Sequence, residues 1–343
     1  MPINSIDSAT ASAAAWLAHN SSARLLLHSN SGVFCTNGLS LNYKSKARTQ
    51  ELAEQPCARG VRTIRYDSGE SKPEDLCLAS VQASSKAGGV WPFAVRSGAD
   101  VVSRFIRRTG LWELSDPRQL FHAAKLDFHA FGGSGTSRRP TLLDIGANIG
   151  YYSIFFAKTG WSVIALEPLT SNRDAFSLSL CANPDVSDRV TIIPTALGGP
   201  DTVGPCVVRS YEANNLGDGV LSCGPQVRPC TSTAGGGGGG GLCEDVPMRT
   251  LDTLLTELVR ASQRAARGHA LSIDAVKIDV EGFECEVLRG ASTLFTRFRP
   301  KLLLVEGKVA ATRKCVEEAA SRFGYKIAVS SFGRDKNMLL TPT

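Results

Sequence analysis

The sequence predicts an α/β domain of the Rossmann type: a mostly parallel sheet with helices on its faces. Three observations carry that prediction. From residue 142 onward, short apolar runs alternate with helical patterns, and that alternation demands a parallel sheet with right-handed crossovers. The first run, Leu142–Ile145, crosses a turn holding Gly146 and Gly150 and enters the amphipathic stretch Tyr151–Lys158, the shape of a strand, tight turn and helix start. Four runs end in an acid, at Asp144, Glu167, Asp279 and Glu306. A parallel sheet gathers such ends along one edge, where ligands of open α/β sheets bind.

The elements follow in order. Residues 1–88 show no sustained period and read as an irregular or disordered extension; the Ser/Ala-rich, acid-free stretch 8–50 has the composition of a targeting segment. The domain is expected over 89–343. Ala99–Arg108 has apolar residues at helical spacing and stops at Gly110, followed by Leu111-Trp112-Glu113. Asp116-Pro117 opens a second helical pattern running to His129. After the first strand, Trp161–Leu166 is the second, and Thr170 or Ser171 caps a helix to about Ala182. Val190–Pro194 is the third strand. Pro200–Glu244 is rich in Gly, Pro and Cys, with seven consecutive glycines at 235–241, and reads as a flexible surface insertion of about 200–245. Arg249-Thr250-Leu251-Asp252 opens a helix with Leu251, Leu254, Leu255 and Leu258 on one face. Ala275–Ile278 and Leu302–Val305 are buried strands, Thr312–Phe323 a helix ended by Gly324, and Tyr325–Val329 and Asn337–Thr341 two closing strands. The count is seven strands.

The first turn restricts the ligand. Its spacing is Asp-x-Gly-x-x-x-Gly, whereas a dinucleotide site uses Gly-x-Gly-x-x-Gly to bring helix amides to a pyrophosphate. A carboxylate at Asp144 repels phosphate but orients an ammonium group, through water or amides. Glu167-Pro168 ends the second strand 23 residues later, where an acid grips a ribose diol. An amino-acid tail, a sulfonium and a ribose together describe S-adenosyl-L-methionine.

Composition removes other classes. The net charge of +6 is not gathered into Lys/Arg blocks, so nucleic acid is not an expected partner. No run approaches the ~18–20 apolar residues of a membrane span. Ten cysteines stand without C-x-x-C pairs, so zinc is not indicated. Cys206, Cys223, Cys230 and Cys243 can pair in an oxidising compartment, Cys181 and Cys285 read as small core residues, and the expectation is mostly free thiols, in the cytoplasm or an organelle.

The stretches Asp144-Ile145-Gly146-Ala147-Asn148-Ile149-Gly150 and Lys277-Ile278-Asp279-Val280-Glu281-Gly282, with the strand ending at Glu306, resemble the FkbM-type family of S-adenosylmethionine-dependent methyltransferases over roughly residues 140–341. The resemblance implies a class I methyltransferase fold, a mostly parallel seven-stranded sheet with an antiparallel C-terminal strand. It also implies methyl transfer to a hydroxyl of a sugar, glycan or other small molecule. The cofactor residues are then Asp144, Gly146, Ala147, Asn148, Gly150, Glu167, Pro168, Ala196, Leu197 and Asp279, with Asn148 either contacting the cofactor or supporting its loop. The catalytic set is Lys277, Asp279, Glu281 and Glu306. Asp279 is either the acid nearest the methyl or a strand-end carboxylate paired with Lys277. Glu281 faces the acceptor or caps the next helix. Glu306 positions the acceptor, joins Asp279 on a divalent cation, or closes its strand. The insertion departs from the family pattern where substrate-binding elements are often built. Two rivals share the sheet: an NAD(P)-dependent oxidoreductase and a non-catalytic cofactor-binding homologue.

Overall fold

The computed structural model describes residues 33–36, 40–43, 56–57, 61–65, 75–85, 88–96, 100–131, 138–210, 219–230, 243–264, 270–333 and 336–343. The glycine run 235–241 and most of the proposed N-terminal extension lie outside them. In chain order, β1 (Val33–Thr36) and β2 (Ser40–Tyr43) pair antiparallel. β3 (Pro56–Cys57), β4 (Val61–Arg65), β5 (Asp75–Gln82) and β6 (Val90–Arg96) form a four-stranded antiparallel sheet. Regular structure therefore extends into the stretch expected to be irregular. The run Val90-Trp91-Pro92-Phe93 hid β6, because Pro92 interrupts the pattern and Phe93 to Arg96 are buried one after another without alternation.

Next come α1 (Val101–Thr109) and α2 (Arg118–Ala123). The Asp100 carboxylate accepts from the Ser103 amide at 2.9 Å to cap α1, and Gly110 at φ 74° ends it. Asp116 accepts from the Arg118 amide as its sequence position predicts. The helix stops early, however, and Phe128–Phe131 continues as a separate 3₁₀ turn after Lys125 takes φ 57°.

The seven-stranded sheet uses β7 (Thr141–Ile145), β8 (Ser162–Leu166), β9 (Val190–Ile193), β15 (Ala275–Ile278), β16 (Leu302–Val305), β17 (Tyr325–Phe332) and β18 (Asn337–Pro342). Between them run α3 (Tyr151–Lys158), α4 (Thr170–Cys181), α5 (Leu251–Arg264), α6 (Glu284–Arg289) and α7 (Ala310–Phe323). The order across the sheet is β9-β8-β7-β15-β16-β18-β17, with β18 antiparallel to both neighbours. Every residue of β7, β15 and β16 is buried, as strands covered on both faces must be. The chain winds outward from β7 to β9, then returns to lay β15 against the other side of β7. That reversal is the switch point where a crevice opens.

One face of the sheet packs against α5, α6 and α7 through Leu251, Leu255, Val287 and Val316. The other packs against α3 and α4, and there the N-terminal strands join the core. Trp91 lies 5.4 Å from the Phe155 ring and Phe93 5.8 Å from the Tyr151 ring, both edge-on.

The insertion is also structured where described. β11 (Cys206–Arg209) is flanked by β12 (Val220–Cys223) and β13 (Cys243–Asp245), both antiparallel to it. Disulfides join Cys206 to Cys223 and Cys230 to Cys243. A third, Cys285–Cys315, ties α6 to α7, and Cys181 is disulfide-bonded. The expectation of mostly free thiols is corrected: among the described residues no cysteine is free. The missed signal was the cysteine count itself, since pairing partners far apart in sequence leave no spacing motif. β10 (Ala196–Leu197) and β14 (Met248–Arg249) pair in parallel and anchor both ends of the insertion.

Candidate functional site

The crevice at the switch point holds a cleft of about 680 Å³, counting its open mouth. Its floor is the β7 turn and the end of β8, and its far wall is Val280 and Glu281 after β15. Gly146 and Gly150 hold the turn at φ 77° and φ 90°. The reason is packing within the protein. A Cβ on Gly146 would sit 1.8 Å from the Asp279 carbonyl oxygen, and one on Gly150 would sit 2.1 Å from the Phe176 ring. The β7 turn is thereby pressed against the β15 turn, which fixes the width of the crevice.

Glu167 lies on the cleft wall, 4% exposed. Its Oε2 accepts from the Asn148 amide at 2.8 Å; Oε1 accepts from the Leu169 amide at 2.9 Å and from Asn172 Nδ2 at 3.1 Å. Burial raises its pKa, and those three hydrogen bonds pull the other way. With one bond on Oε2, a lone pair remains for a hydroxyl. Asn148 itself sits at φ 52°, with its side-chain Oδ1 accepting from the Ile149 amide at 2.8 Å. Its side chain supports the loop while the residue lines the cleft. Pro168, Ala196 and Leu197 line it too; Ala147 lines a neighbouring cleft, and Gly150 lines neither.

The placement of Asp144 differs from the expectation. Its side chain is fully buried beneath the turn and does not line the cleft. Oδ2 accepts from the Ser153 hydroxyl at 2.6 Å, and Oδ1 faces the Lys277 ammonium at 3.8 Å. Burial raises its pKa against the pull of Lys277. It cannot reach an ammonium group in the cleft; it supports Lys277 from below.

Lys277 is the hub. Its Nζ lies 3.0 Å from Asp279 Oδ2, donates to the Gly146 carbonyl at 3.1 Å, and stands 5.2 Å from the centre of the Tyr152 ring. Burial works against its charge, but the carboxylates of Asp279, Asp144 and Glu113 outweigh burial and hold the ammonium above the ordinary lysine range. Tyr152 donates its hydroxyl to Glu113 Oε2 at 2.5 Å, and burial, reinforced by that carboxylate, pushes its pKa well up.

Asp279 lines the main cleft and also a second, smaller one walled by Val102, Trp112, Tyr151 and Tyr152, with Lys277 at its base. Asn148 is the other residue shared by both. The two clefts therefore meet at Asp279, which is 32% exposed at its side chain.

Glu281, at φ 50°, lines the main cleft. The turn between β15 and α6 is closed by Glu284, whose Oε1 accepts from the amides of Val280 and Gly282 at 3.0 and 3.2 Å. Glu306 is buried at the end of β16, where its amide donates to the Ile278 carbonyl at 2.9 Å, and it lines neither cleft. Among the described residues, no group of three or more His, Cys, Asp or Glu side chains converges as a metal site would.

Sequence reasoning missed Trp112 and Tyr152 in the smaller cleft, Glu113 bonded to Tyr152, and Leu169, Val208, Gly219 and Leu221 in the larger cleft. Glu113 takes φ 55°, which no local pattern announces. Trp112, Val208, Gly219 and Leu221 come from segments read as preamble or insertion, whereas Tyr152 and Leu169 follow the first two strands, where only the turn residues were singled out.

Comparison with known proteins adds the following. A family model described as the methyltransferase FkbM domain matches residues 144–327. No curated protein sequence matches the chain. Among solved structures, the N-terminal domain of human METTL16 in complex with SAH is similar at 12% identity and a TM-score of 0.37, over 67% of this chain and 70% of that one. Precorrin-6y C5,15-methyltransferase from Geobacter metallireducens GS-15 is similar at 12% identity and a TM-score of 0.31, over 60% of this chain and 80% of that one. A human methyltransferase 10 domain containing protein reaches 10% and 0.33, over 66% and 80%. Likenesses this remote carry no argument, and the fold stands on the strand order of the sheet itself.

Proposed function

This chain belongs to the FkbM methyltransferase family, and on that premise we propose that it transfers a methyl group from S-adenosylmethionine to a hydroxyl oxygen of a sugar, glycan or other small molecule. The observation that carries the reading is the position of Asp279 where the two clefts meet.

The main cleft suits the cofactor. Glu167 offers a carboxylate lone pair to the ribose hydroxyls, and Ala196, Leu197 and Leu169 give an apolar bed for the adenine beside it. At the other end Asn148, Asp279 and Glu281 face the amino-acid tail, with Glu281 placed to meet the ammonium. Bound there, the cofactor supplies an electrophilic methyl carbon on a sulfonium.

The second cleft suits the acceptor. Trp112, Val102 and Tyr152 present flat apolar surface, suited to the C–H face of a sugar or another small ring, with polar groups only at the base. An acceptor hydroxyl reaching that base meets Asp279. Lys277 holds Oδ2 in place, leaving Oδ1 to take the hydroxyl proton. With the cofactor held in the main cleft, its methyl carbon would be open to an oxygen at this base, the displaced electron pair would stay on sulfur, and Asp279 would take the proton the hydroxyl gives up. Most of the acceleration comes from holding the groups in line.

Calorimetric titration with S-adenosylmethionine, S-adenosylhomocysteine and NADH tests the cofactor assignment: the first two should bind and the third should not. Asp279→Asn should lower transfer of labelled methyl to a panel of hydroxylated acceptors by about 100-fold or more, with S-adenosylhomocysteine affinity changed less than about threefold. A fully active variant would remove Asp279 as the base.

A further inference from the structure

We propose that the Gly/Cys-rich insertion builds the adenine end of the cofactor cleft, and that the Cys206–Cys223 disulfide holds it there, so that cofactor affinity depends on an oxidised chain. This rests on the cofactor reading above.

Three observations lead to it. First, Val208 on β11, Gly219 just before β12 and Leu221 on β12 line the main cleft. They face the same end as Leu169 and Ala196, and with those two residues and Val246 the side chains of Val208 and Leu221 form one small apolar cluster separate from the two main cores. A flat purine beside Glu167 would have apolar side chains from two sources: the β8 and β10 ends of the main domain, and the insertion.

Second, the insertion's three-stranded sheet shares no strand with the main domain: its strands pair only with one another, and the β10–β14 pairing anchors only the two ends of the segment. The Cys206–Cys223 bridge joins directly opposed residues of β11 and β12, two positions from Val208 and from Leu221. Cys206 also belongs to the apolar cluster, so the bridge sits within the wall it fastens.

Third, the sheet is docked at the ribose side through a charge. Glu244 on β13 accepts from the Thr170 amide at 2.8 Å and from the Thr170 hydroxyl at 2.5 Å, at the first turn of α4, three residues beyond Glu167. An anion there satisfies an otherwise unpaired helix amide. Gly219 permits the close fit: a Cβ there would lie 2.6 Å from Val208 Cγ1 and 3.3 Å from Leu169 Cδ1.

Opening the bridge takes two electrons and two protons from a dithiol, which is itself oxidised to a disulfide, and leaves thiols at Cys206 and Cys223. β11 and β12 then keep only their backbone pairing, and the apolar wall loses its fixed spacing.

The test titrates the full chain, isolated with its disulfides formed, with S-adenosylhomocysteine and separately with adenosine. Both Cys206→Ser/Cys223→Ser and Leu221→Ala should weaken both ligands by about tenfold, the loss expected when some tens of Å² of apolar contact are withdrawn. Cys285→Ser/Cys315→Ser, which removes the bridge between α6 and α7 remote from this wall, should change affinity less than twofold. Should the Cys206/Cys223 variant fail to fold, as judged by its melting curve, Leu221→Ala decides, because it leaves every bridge in place. Folded variants that bind both ligands as wild type does would overturn the proposal. So would a loss for S-adenosylhomocysteine without one for adenosine, since the wall would then lie at the wrong end. Wild-type protein that binds neither ligand would instead overturn the cofactor reading beneath it.

Discussion

Lys277→Met is the perturbation whose effect the structure sets most tightly. The ammonium neutralises Asp144, which is fully buried, and pairs with Asp279 3.0 Å away. Methionine fills much the same volume without the charge, so the packing around Tyr152 survives and the electrostatic loss stands alone. It strands Asp144 as a buried carboxylate whose one remaining side-chain partner is the Ser153 hydroxyl. Breaking a buried pair in this way costs about 3–5 kcal/mol. For a protein of this size that corresponds to a fall in melting temperature of roughly 4–7 °C. The companion variant Asp144→Asn leaves Lys277 with Asp279 and Glu113 and should cost about 1–2 kcal/mol. In Asp144→Asn/Lys277→Met neither charge is stranded, so the double variant should regain at least ~2 kcal/mol over the sum of the two single changes. The sign with pH follows from the raised pKa of Asp144. Without Lys277 the folded state binds that proton more tightly than the unfolded chain does, so Lys277→Met should gain stability as pH falls from 7 toward 5. Thermal melts of the four proteins at both pH values make the measurement. A Lys277→Met protein that melts within 2 °C of wild type at neutral pH, or one that acid destabilises, would refute the account of Lys277 as the counter-charge that keeps Asp144 in place.

Other outcomes follow from the same geometry. Gly146→Ala should destabilise the fold by at least ~2 kcal/mol as well as abolish cofactor binding, because φ 77° and a 1.8 Å approach to the Asp279 carbonyl leave no space for a methyl; an unshifted melt would refute it. Glu167→Gln should weaken S-adenosylhomocysteine about tenfold or more through the ribose while the melt moves little, since an amide retains an acceptor oxygen for the Asn148 amide; equal affinity would remove Glu167 from the ribose. Tyr152→Phe removes a buried hydrogen bond to Glu113 and should cost about 1–3 kcal/mol in chemical denaturation. Lys277 has a folded pKa above its ordinary 10.5, so its contribution to stability is complete below 10.5 and drains away as pH rises through the folded value; alkaline melts of wild type against Lys277→Met should converge there.

The sheet was legible because its central strands are covered on both faces and so leave unbroken apolar runs, and because each helix brings its own stop, such as Gly110 and Gly324. The acids at strand ends were legible as a set, but their burial was not. Asp144 and Asp279 are not at equivalent positions: Asp144 lies within β7, in register with Lys277, whereas Asp279 follows the last residue of β15, so one lies under the turn and the other opens into both clefts. That two-residue offset is set by the strand register, which no local pattern carries. The two roles weighed for Glu281 were equally hard to tell apart from sequence; the turn places it in the main cleft, at a positive φ that no local pattern announces. The insertion was misread for another reason. Gly, Pro and Cys mark loops when cysteines stand free, and they mark a small stapled sheet when cysteines pair at distances of 13 and 17 residues. The N-terminal strands were hidden by Pro92 and by burial without alternation.

The antiparallel strand β18 carries a consequence for how this chain is made. It fills the slot between β16 and β17, so the order of synthesis and the order of the sheet disagree. Until residues 337–342 dock, β16 has β15 on one side and an open ladder of amides and carbonyls on the other. An apolar strand with an open edge invites pairing with a neighbouring nascent chain. The slot closes only after Pro342 emerges, when Met338, Leu339 and Leu340 pair with Val305, Leu304 and Leu303. Folding chains at high concentration are therefore most vulnerable to clumping in the interval before that last strand is seated.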